Sequence, residues 1–375
     1  MDINKTYEAY LGVQADEKIE ELRSQGVEIF SFSKLDTVYE CKYSFYKNYI
    51  EKAKVEKDNA YSYLGGKIHD ALEHVYKGDS LVVEEGKEEL TPREYIVHRW
   101  YEALDEMYNI KHFEFPSDAI KINYEKSMAN YVHNFTKEDK KAILESTMLI
   151  NLEGVWIMGF IDVLQADEIE GTKSLRVVDY KTSTLYTGDK KKEKGRQLVL
   201  YALAVENATN YPVTSVAWDF LKYATFRYLG KSRKKGENLM RCKATSYWQK
   251  EIINELIALD YDMNTAVDMW AAGDAIGAIP KEVEHMFEVT GSIIDYDYND
   301  ETKQELIDWV LETVAEVHDM KESGIYPAKK IDKSNEFGCA SLCPYKHQCE
   351  AYKSYLKKYP QNVVAGGVDY SKLFG

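Results

Sequence analysis

The sequence predicts an α/β fold in which a central mixed sheet is flanked by helices. Residues 159–163 and 177–182 are rich in β-branched and apolar side chains and are predicted strands, and the polar and glycine residues between them are typical of a turn. Before this pair, Ile68, Leu72 and Val75 recur at helical spacing. After it, residues 195–204 form a second helical pattern. A strand hairpin between two helices is expected of a sheet that helices cover.

The predicted hairpin brings two aspartates together. If its turn is centred near Glu170 and Gly171, an antiparallel register places Asp162 opposite Asp179, because both are equally far from that midpoint. Side chains alternate across a strand, so Asp179 and Lys181 share a face. Tyr180 then points the other way and leaves its carbonyl at the strand edge.

Carboxylate and carbonyl oxygens at this position suit Mg²⁺ or Mn²⁺, which lower the pKa of bound water and neutralise phosphate charge. Lys181 could orient or help deprotonate an attacking water. The alternative is a pair of exposed hairpin carboxylates with Lys181 as their salt-bridge partner. For an Asp-x-Lys alone the salt bridge is the ordinary explanation. The position of these charges at the end of the apolar run of residues 175–178 counts against it, because charges there require pairing or a cation.

Two further segments carry candidate site residues. His69 lies beside the apolar stripe of the first helix, and its neutral imidazole could add a nitrogen ligand, although a lone helix histidine is more often structural. Gln197 and Tyr201 are four residues apart and therefore occupy one face of the second helix. Taken singly, each of these residues has an ordinary structural explanation.

The set as a whole resembles the RecB-type branch of the PD-(D/E)XK nuclease superfamily. Its elements occur in the family's order, as Gly-x-x-x-His, Gly-x-x-Asp, Asp-Tyr-Lys-Thr and Gln-x-x-x-Tyr, over about residues 65–201. Ile161 stands where the superfamily's name implies proline, but this branch commonly lacks that proline.

The resemblance implies a role for each matching residue. In the family, the corresponding histidine, the two aspartates and the carbonyl after the second aspartate bind the metal ion. The lysine assists catalysis, and the glutamine and tyrosine support the site and the nucleic-acid backbone. The residues that take these roles here are His69, Asp162, Asp179, Tyr180, Lys181, Gln197 and Tyr201.

Five cysteines are too few and too scattered for a disulfide framework, and no signal peptide is recognisable. We therefore expect a reducing, cytoplasmic compartment. Three of the cysteines cluster near the C-terminus, Cys339, Cys343 and Cys349, while Cys41 lies far upstream. Four thiolates could hold an iron–sulfur cluster or Zn²⁺, and spacing alone favours zinc or unliganded thiols. Cys242 is left over as a plain strand residue.

A second resemblance changes the expectation for these thiols. AddB-like and CRISPR-associated RecB-type nucleases carry one cysteine before the nuclease core and three after it, and these hold a [4Fe–4S] cluster that joins the ends of the chain. Cys41, Cys339, Cys343 and Cys349 have the same layout. Three residues separate the first two clustered cysteines where the family usually has two. The resemblance implies a [4Fe–4S] cluster, with Zn²⁺ as the alternative.

The length of 375 residues suits one nuclease domain with helical additions. We expect this domain to span residues 1–358, with a core at about 60–250 and with segments 30–55 and 301–355 forming the cysteine staple. Residues 359–375 are expected to form a flexible tail whose last residues loosely resemble peptides that dock on DNA sliding clamps. No apolar run reaches the roughly 18 residues of a membrane span, so we expect a soluble protein without a membrane partner.

A net charge of −15 argues against broad attraction to a polyanion, so a DNA path has to be local. Two lysine-rich runs are candidates. Residues 190–196 lead into the second helix, and residues 231–235 form the predicted turn of a hairpin that begins at residues 216–220. Either run could instead be a solvated loop.

The function expected from these features is a divalent-metal-dependent DNA exonuclease that prefers single strands or ends. It would act in recombination, repair or CRISPR or phage DNA processing. Because no phosphate loop is present, any motor must be a partner such as a helicase. An endonuclease of the same fold is one alternative. A non-catalytic DNA-binding or structural subunit of a helicase–nuclease machine is another.

Helical patterns without recognisable chemistry complete the prediction. They occupy residues 17–23, 92–108, 137–150, 248–272 and 301–323.

Overall fold

A mixed β-sheet lies at the centre of the fold, as predicted. The computed structural model describes residues 6–83, 88–138, 141–169, 171–228, 240–244, 249–265, 280, 287–290, 293–359, 363–364 and 367–368. The main strands in these ranges are β1 (Ala9–Leu11), β2 (Ile29–Ser31), β3 (Ala142–Leu152), β4 (Val155–Ile169), β5 (Thr172–Lys181), β6 (Val213–Phe220), β7 (Tyr223–Tyr228), β8 (Met240–Ala244), β9 (Phe287–Thr290) and β10 (Ile293–Tyr296).

Seven of these described strands form one sheet. Its order is β1, β3, β4, β5, β6 and β10, and β2 lies beside β4. The β2–β4 and β5–β6 pairs are parallel and the other pairs are antiparallel. The sheet is therefore mixed, and β4 and β5 occupy its middle.

The hairpin of β4 and β5 has the predicted register. Ile169 pairs with Thr172 at the turn, and Val163 pairs with Val178 six rows further on. Gly171 has a φ of 79°, a left-handed conformation that glycine adopts without steric cost. The register extrapolates to Asp162 opposite Asp179, as the symmetry of the sequence about the turn required.

The helix predicted over residues 137–150 is wrong. Ala142–Leu152 is strand β3, which pairs along almost its whole length with β4. The segment ends in a continuous apolar run, and Met148, Leu149 and Ile150 are all fully buried. A short apolar run of this kind fits a strand covered on both faces as well as it fits a buried helix, so periodicity does not separate the two.

Helices cover both faces of the sheet. They are α1 (Val13–Ser24), α2 (Phe32–Glu40), α3 (Lys42–Phe45), α4 (Ala60–Lys77), α5 (Pro92–Glu106), α6 (Asp118–His133), α7 (Asp189–Thr209), α8 (Gln249–Ala258), α9 (Asp300–Ser323) and α10 (Glu350–Lys358). Adjacent residues of β5 show the layering. Val177 packs in the cluster that contains α2, α7 and α9, whereas Val178 packs in the cluster that contains α4, α5 and α6.

The remaining helix predictions agree with the structure where it describes them. Residues 17–23 fall within α1, 92–108 in α5 and the π-turn that follows it, and 301–323 within α9. Capping boxes at Thr91 and Asn299 fix the starts of α5 and α9 by satisfying N-terminal backbone donors. Of residues 248–272, α8 is described, while 248 and 266–272 lie outside the described residues.

A hairpin was predicted to begin at residues 216–220, but the observed hairpin begins later in the chain, at Tyr223. Strand β6 ends at Phe220 and lies between β5 and β10 in the main sheet. The antiparallel partners are instead β7 and β8, which form a small sheet with β9. Cys242 lies in β8, as expected of a strand residue. The basic run at residues 231–235 lies outside the described residues.

No helix in the described ranges combines the length and the apolar character needed to cross a membrane.

The tail predicted at residues 359–375 lies largely outside the described residues, including the segment that resembles a clamp-binding peptide. Within it, Val363–Val364 and Gly367–Val368 form a short antiparallel pair.

Candidate active site

A gap in strand pairing lies beside Asp162. One edge of β4 pairs with β3, and its other edge pairs with β2 at Trp156–Met158 and with β5 from Val163 onward. Residues 159–162 therefore face the space between β2 and β5. The Asp162 carboxylate accepts a hydrogen bond from the Tyr180 backbone N–H at 2.9 Å, where a backbone carbonyl of β4 would otherwise be expected. This bond fixes the carboxylate at the mouth of the gap.

Asp179 and Lys181 form an ion pair on β5. The Lys181 Nζ lies 2.5 Å from Asp179 Oδ2, and the Asp179 side chain is only 1% exposed. Burial raises the pKa of Asp179 to about 6, although the charge of Lys181 opposes this. Burial alone would lower the pKa of Lys181, but the carboxylates of Asp179 and Asp162 outweigh burial and raise it. Lys181 is therefore a stable cation.

His69 reaches the site from α4. Its Nδ1 lies 3.7 Å from Asp162 Oδ2, and its ring meets the Tyr180 ring edge-on at a centroid distance of 6.0 Å. Burial, followed by the charge of Lys181, lowers the pKa of His69. The imidazole is thus held neutral, which is the form that binds a metal ion.

Close packing at Gly65 accounts for the glycine that lies four residues before His69. A Cβ atom at Gly65 would lie 3.0 Å from the Thr182 Oγ1, closer than most side-chain contacts allow. The glycine lets α4 approach the end of β5, and one turn later the helix presents His69 to Asp162.

Gln197 and Tyr201 lie on α7, against the other face of the hairpin. The Gln197 Nε2 donates a hydrogen bond to the Tyr201 hydroxyl at 2.8 Å. The Tyr201 ring covers Gly159, where a Cβ atom would lie 3.0 Å from Tyr201 Cε1 and 2.9 Å from Met148 Cε. Burial raises the pKa of Tyr201, and the charge of Asp179 adds to this, so the hydroxyl lies close to the site and stays protonated.

Glu145 is a site residue that the sequence analysis missed. A His69 nitrogen and one carboxylate oxygen each from Glu145 and Asp162 all lie within 4.8 Å of one another, a group able to hold a metal ion. Burial and then the charge of Asp162 raise the pKa of Glu145 to about 7. Because residues 137–150 were predicted to be helical, no sequence signal connected Glu145 with the hairpin.

The donor set of this site suits a hard divalent cation. The group combines one carboxylate oxygen each from Glu145 and Asp162 with an imidazole nitrogen of His69, while the Asp179 carboxylate is paired with Lys181. Mg²⁺ and Mn²⁺ bind oxygen ligands and accept imidazole, and soft thiolates are absent from the described surroundings.

Comparison with known proteins identifies the family. The family model described as the PD-(D/E)XK nuclease superfamily matches residues 29–350. The chain belongs to this superfamily. PD-(D/E)XK nucleases are hydrolytic enzymes that use divalent metal ions and act on DNA, in agreement with the donor set. The chain has no significant match among curated proteins.

The structure brings together cysteine-bearing segments from both ends of the nuclease chain. Tyr43, two residues after Cys41, donates its hydroxyl to the Gln348 carbonyl at 3.2 Å. Ser44 Oγ lies 4.0 Å from Cys343 Sγ. Burial raises the pKa of Cys339 to about 11, and the nearby thiols of Cys41, Cys343 and Cys349 raise it further. The four thiols are not among the groups whose donor atoms lie within 4.8 Å of one another in the described part of the chain.

The basic run at residues 190–196 is largely occupied by protein contacts. It lies within α7 rather than before it. The Lys194 ammonium binds Asp36 and Glu40 on α2, each at 2.7 Å. The Arg196 guanidinium binds Glu305 on α9 at 3.1 Å. These cations fasten α7 to its neighbours, so the proposal that this run guides DNA does not apply to them.

Lys222 is a buried cation near the end of strand β5. The preceding residue, Leu221, donates its backbone N–H to the Lys181 carbonyl at 3.0 Å. Lys222 is 9% exposed, and its ammonium lies 4.9 Å from the centre of the Tyr124 ring. Burial lowers its pKa to about 8, and no carboxylate of the described residues is paired with it. The ammonium thus lacks the anionic partner that Lys181 has.

Proposed function

We propose that this chain is a divalent-metal-dependent DNA exonuclease that acts on single strands or DNA ends. The observation that carries the proposal is the grouping of His69, Asp162, Asp179 and Lys181 beside a gap in the sheet of a PD-(D/E)XK chain. Binding to DNA alone does not require a buried carboxylate, a second carboxylate and a paired lysine at one point.

Each residue has a defined role in this proposal. His69, Asp162, Asp179 and the Tyr180 carbonyl would hold a Mg²⁺ or Mn²⁺ ion. When bound, such an ion would lower the pKa of a water molecule and neutralise charge on the phosphate. Lys181 remains protonated, so it orients the attacking water and stabilises negative charge on the phosphate rather than removing a proton.

Gln197 and Tyr201 act from the opposite face of the hairpin. Their hydrogen bond of 2.8 Å fixes the tyrosine hydroxyl, whose pKa the charge of Asp179 helps to raise. We assign them to positioning of the catalytic carboxylates and of the nucleic-acid backbone, as in the RecB-type family that the motifs resemble.

The preference for single strands or ends is supported by the charge of the chain. With a net charge of −15 the chain has little general attraction for duplex DNA, and Lys181, Lys194 and Arg196 bind carboxylates of the protein. Such a surface suits a short, local contact. Recombination, repair and CRISPR or phage DNA processing are the settings that use this activity, with a helicase, a recombination protein or a sliding clamp as partner.

Digestion of end-labelled DNA in Mn²⁺ after anaerobic purification tests the proposal. We expect wild type to degrade linear single strands, and Asp179→Ala and Lys181→Ala to lose at least about a hundredfold in rate. Lys173→Ala, which changes an exposed lysine at the other end of the same hairpin, is the matched control. Variants as active as wild type would overturn the assignment of the site.

Circular single-stranded DNA separates the two modes of cleavage. An exonuclease leaves the circle intact, whereas an endonuclease of the same fold linearises and then degrades it. Binding of linear DNA without cleavage, in the presence and absence of Mn²⁺, would instead favour a non-catalytic subunit.

We further propose that Cys41, Cys339, Cys343 and Cys349 hold a [4Fe–4S] cluster, the feature of the RecB-type iron–sulfur branch. The cluster would join segments 30–55 and 301–355 around one nuclease domain of residues 1–358. Support comes from the thiols' mutual influence on the Cys339 pKa and from the Tyr43–Gln348 hydrogen bond. Anaerobically purified protein should be brown and contain iron and sulfide, and Cys349→Ser should lose both. Colourless protein with stoichiometric zinc would contradict the iron–sulfur assignment.

A further inference from the structure

We propose that Glu145 is a ligand of the divalent cation, in addition to the His69 and Asp162 ligands that the family motifs supply. This inference rests on the proposed function, because it assumes that the site holds a cation. It concerns a residue outside all four motifs, on a strand that none of them includes.

Cross-strand register places Glu145 next to the motif residues. Leu144 pairs with Val163 and Ser146 pairs with Ile161, so Glu145 is opposite Asp162. On the other side of Asp162, the β4–β5 register leads to Asp179. Three carboxylates therefore form one row across three neighbouring strands, with Asp162 in the middle.

Glu145 and Asp179 differ in what holds them. Lys181 binds Asp179 at 2.5 Å. For Glu145 no hydrogen bond or ion pair is found within the part of the chain that the structure describes, although its side chain is half-buried. The negative charges that act on it come from Asp162, Glu73 and Asp70, and the charge of Lys77 opposes them. A half-buried carboxylate in such surroundings lacks a cation.

The separation of the donor atoms fits a bound ion. The donor atoms of His69, Glu145 and Asp162 lie within 4.8 Å of one another. Ligands on opposite sides of Mg²⁺ are about 4.2 Å apart, since each lies at about 2.1 Å. Side-chain movements of less than an ångström therefore close the three donors around a cation, without a change in the backbone.

The backbone at Glu145 is consistent with a side chain aimed at the site. Its φ is 48°, within a strand of eleven residues. Non-glycine residues adopt this left-handed conformation rarely, and such strain collects at functional positions. Pairing with β4 continues on both sides of Glu145, so the distortion is confined to the one residue that meets His69 and Asp162.

Mn²⁺ binding tests the proposal without reference to cleavage. Full-length protein would be titrated with Mn²⁺ by calorimetry, and free Mn²⁺ would be counted by electron paramagnetic resonance. We expect Glu145→Gln to weaken Mn²⁺ binding by at least about tenfold, because a charged ligand becomes a neutral amide. Glu153→Gln is the matched control, since Glu153 also has a positive φ, of 52°, but lies in the turn at the far end of the same pair of strands. It should bind Mn²⁺ like wild type.

A second variant guards against a folding defect. Glu145→Gly removes the ligand and also relieves the left-handed backbone, so in chelator it should melt at or above the wild-type temperature while losing the stabilisation that Mn²⁺ gives wild type. Wild-type Mn²⁺ affinity in both Glu145 variants would overturn the inference.

The failure of this inference differs from the failure of the proposed function. If Asp162→Asn loses Mn²⁺ binding and Glu145→Gln retains it, the inference alone is wrong. If wild type binds no Mn²⁺ at all, both are wrong. If Glu145→Gln loses binding but wild type cleaves no DNA, Glu145 is a ligand in a protein whose nuclease function is overturned.

Discussion

Replacing Lys222 by methionine should stabilise the protein near neutral pH. Lys222 is 9% exposed and its ammonium has aromatic neighbours in place of an anion among the described residues. Methionine matches the length of the lysine stem and fits the same apolar surroundings. The change therefore removes a charge that the fold holds at a cost.

The pKa of Lys222 gives the size of the effect. Burial lowers it from 10.5 to about 8. Each pH unit is worth about 1.4 kcal/mol, so holding the charge costs about 3 kcal/mol at pH 7. Loss of the contact with Tyr124, at 4.9 Å, returns about 1 kcal/mol. We expect a net stabilisation of about 2 kcal/mol.

The sign of the pH dependence follows from the same shift. Between about pH 8 and 10.5 the unfolded chain binds the proton and the folded protein does not, so wild-type stability rises with pH through this window on account of Lys222. The variant lacks this rise. Its advantage over wild type should therefore shrink by about 2 kcal/mol between pH 7 and 9.5.

Urea unfolding of both proteins at pH 7, 8 and 9.5 measures this difference, and tyrosine ionisation cancels between them. Lys173→Met, at an exposed position, is the control and should show little effect at any pH. A Lys222→Met variant that is less stable than wild type at pH 7, or whose advantage does not change with pH, would refute the reasoning.

Three other outcomes follow from the packing and the donor set. Gly159→Ala should lower the free energy of unfolding by about 1–3 kcal/mol and slow DNA cleavage, because the new Cβ would lie 3.0 Å from the Tyr201 ring. Gly66→Ala, whose Cβ would have no atom within 4 Å, should instead stabilise α4 by up to about 1 kcal/mol. Urea unfolding and cleavage rates distinguish the two variants. Gly195→Ala should lower the free energy of unfolding by more than about 2 kcal/mol, because the new Cβ would overlap the Tyr296 ring. In a double-mutant cycle, most of this loss should disappear when Tyr296 is also replaced by alanine. Mn²⁺ at a hundred times its dissociation constant should raise the free energy of unfolding by about 2.7 kcal/mol over the value in EDTA, measured by denaturant titration, and an unchanged midpoint would argue against a cation site.

The part of the site that could be predicted from the sequence is local. The register of Asp162 against Asp179 follows from the symmetry of two strands about one turn, and the face shared by Asp179 and Lys181 follows from alternation. The positions of His69 and Tyr201 depend on tertiary packing. They could be expected only from the order of the family's motifs, and the structure explains them through Gly65 and Gly159, where close packing leaves no room for a side chain.

Two sequence predictions that the structure contradicts, the helix at residues 137–150 and the DNA path at residues 190–196, have a common physical origin. Residues 137–150 contain good helix formers, but the segment forms a strand that pairs with β4, and both faces of its end, residues 148–150, are buried by other parts of the fold. With that strand misassigned, Glu145 could not be connected with the site. The run at residues 190–196 was taken as a path for DNA because its partners, Asp36, Glu40 and Glu305, are more than a hundred positions away in the chain.

One wall of the gap beside Asp162 belongs to the same continuous segment as the first cysteine. Strand β2 ends at Ser31, α2 follows it without a linker and ends at Glu40, and Cys41 is the next residue. If the four thiols hold the proposed cluster, the cluster anchors one end of a short rod, and the other end of that rod is the edge of the gap beside Asp162. Loss of the proposed cluster should then change the width of this gap, while His69, Asp162 and Asp179 keep their positions on other elements.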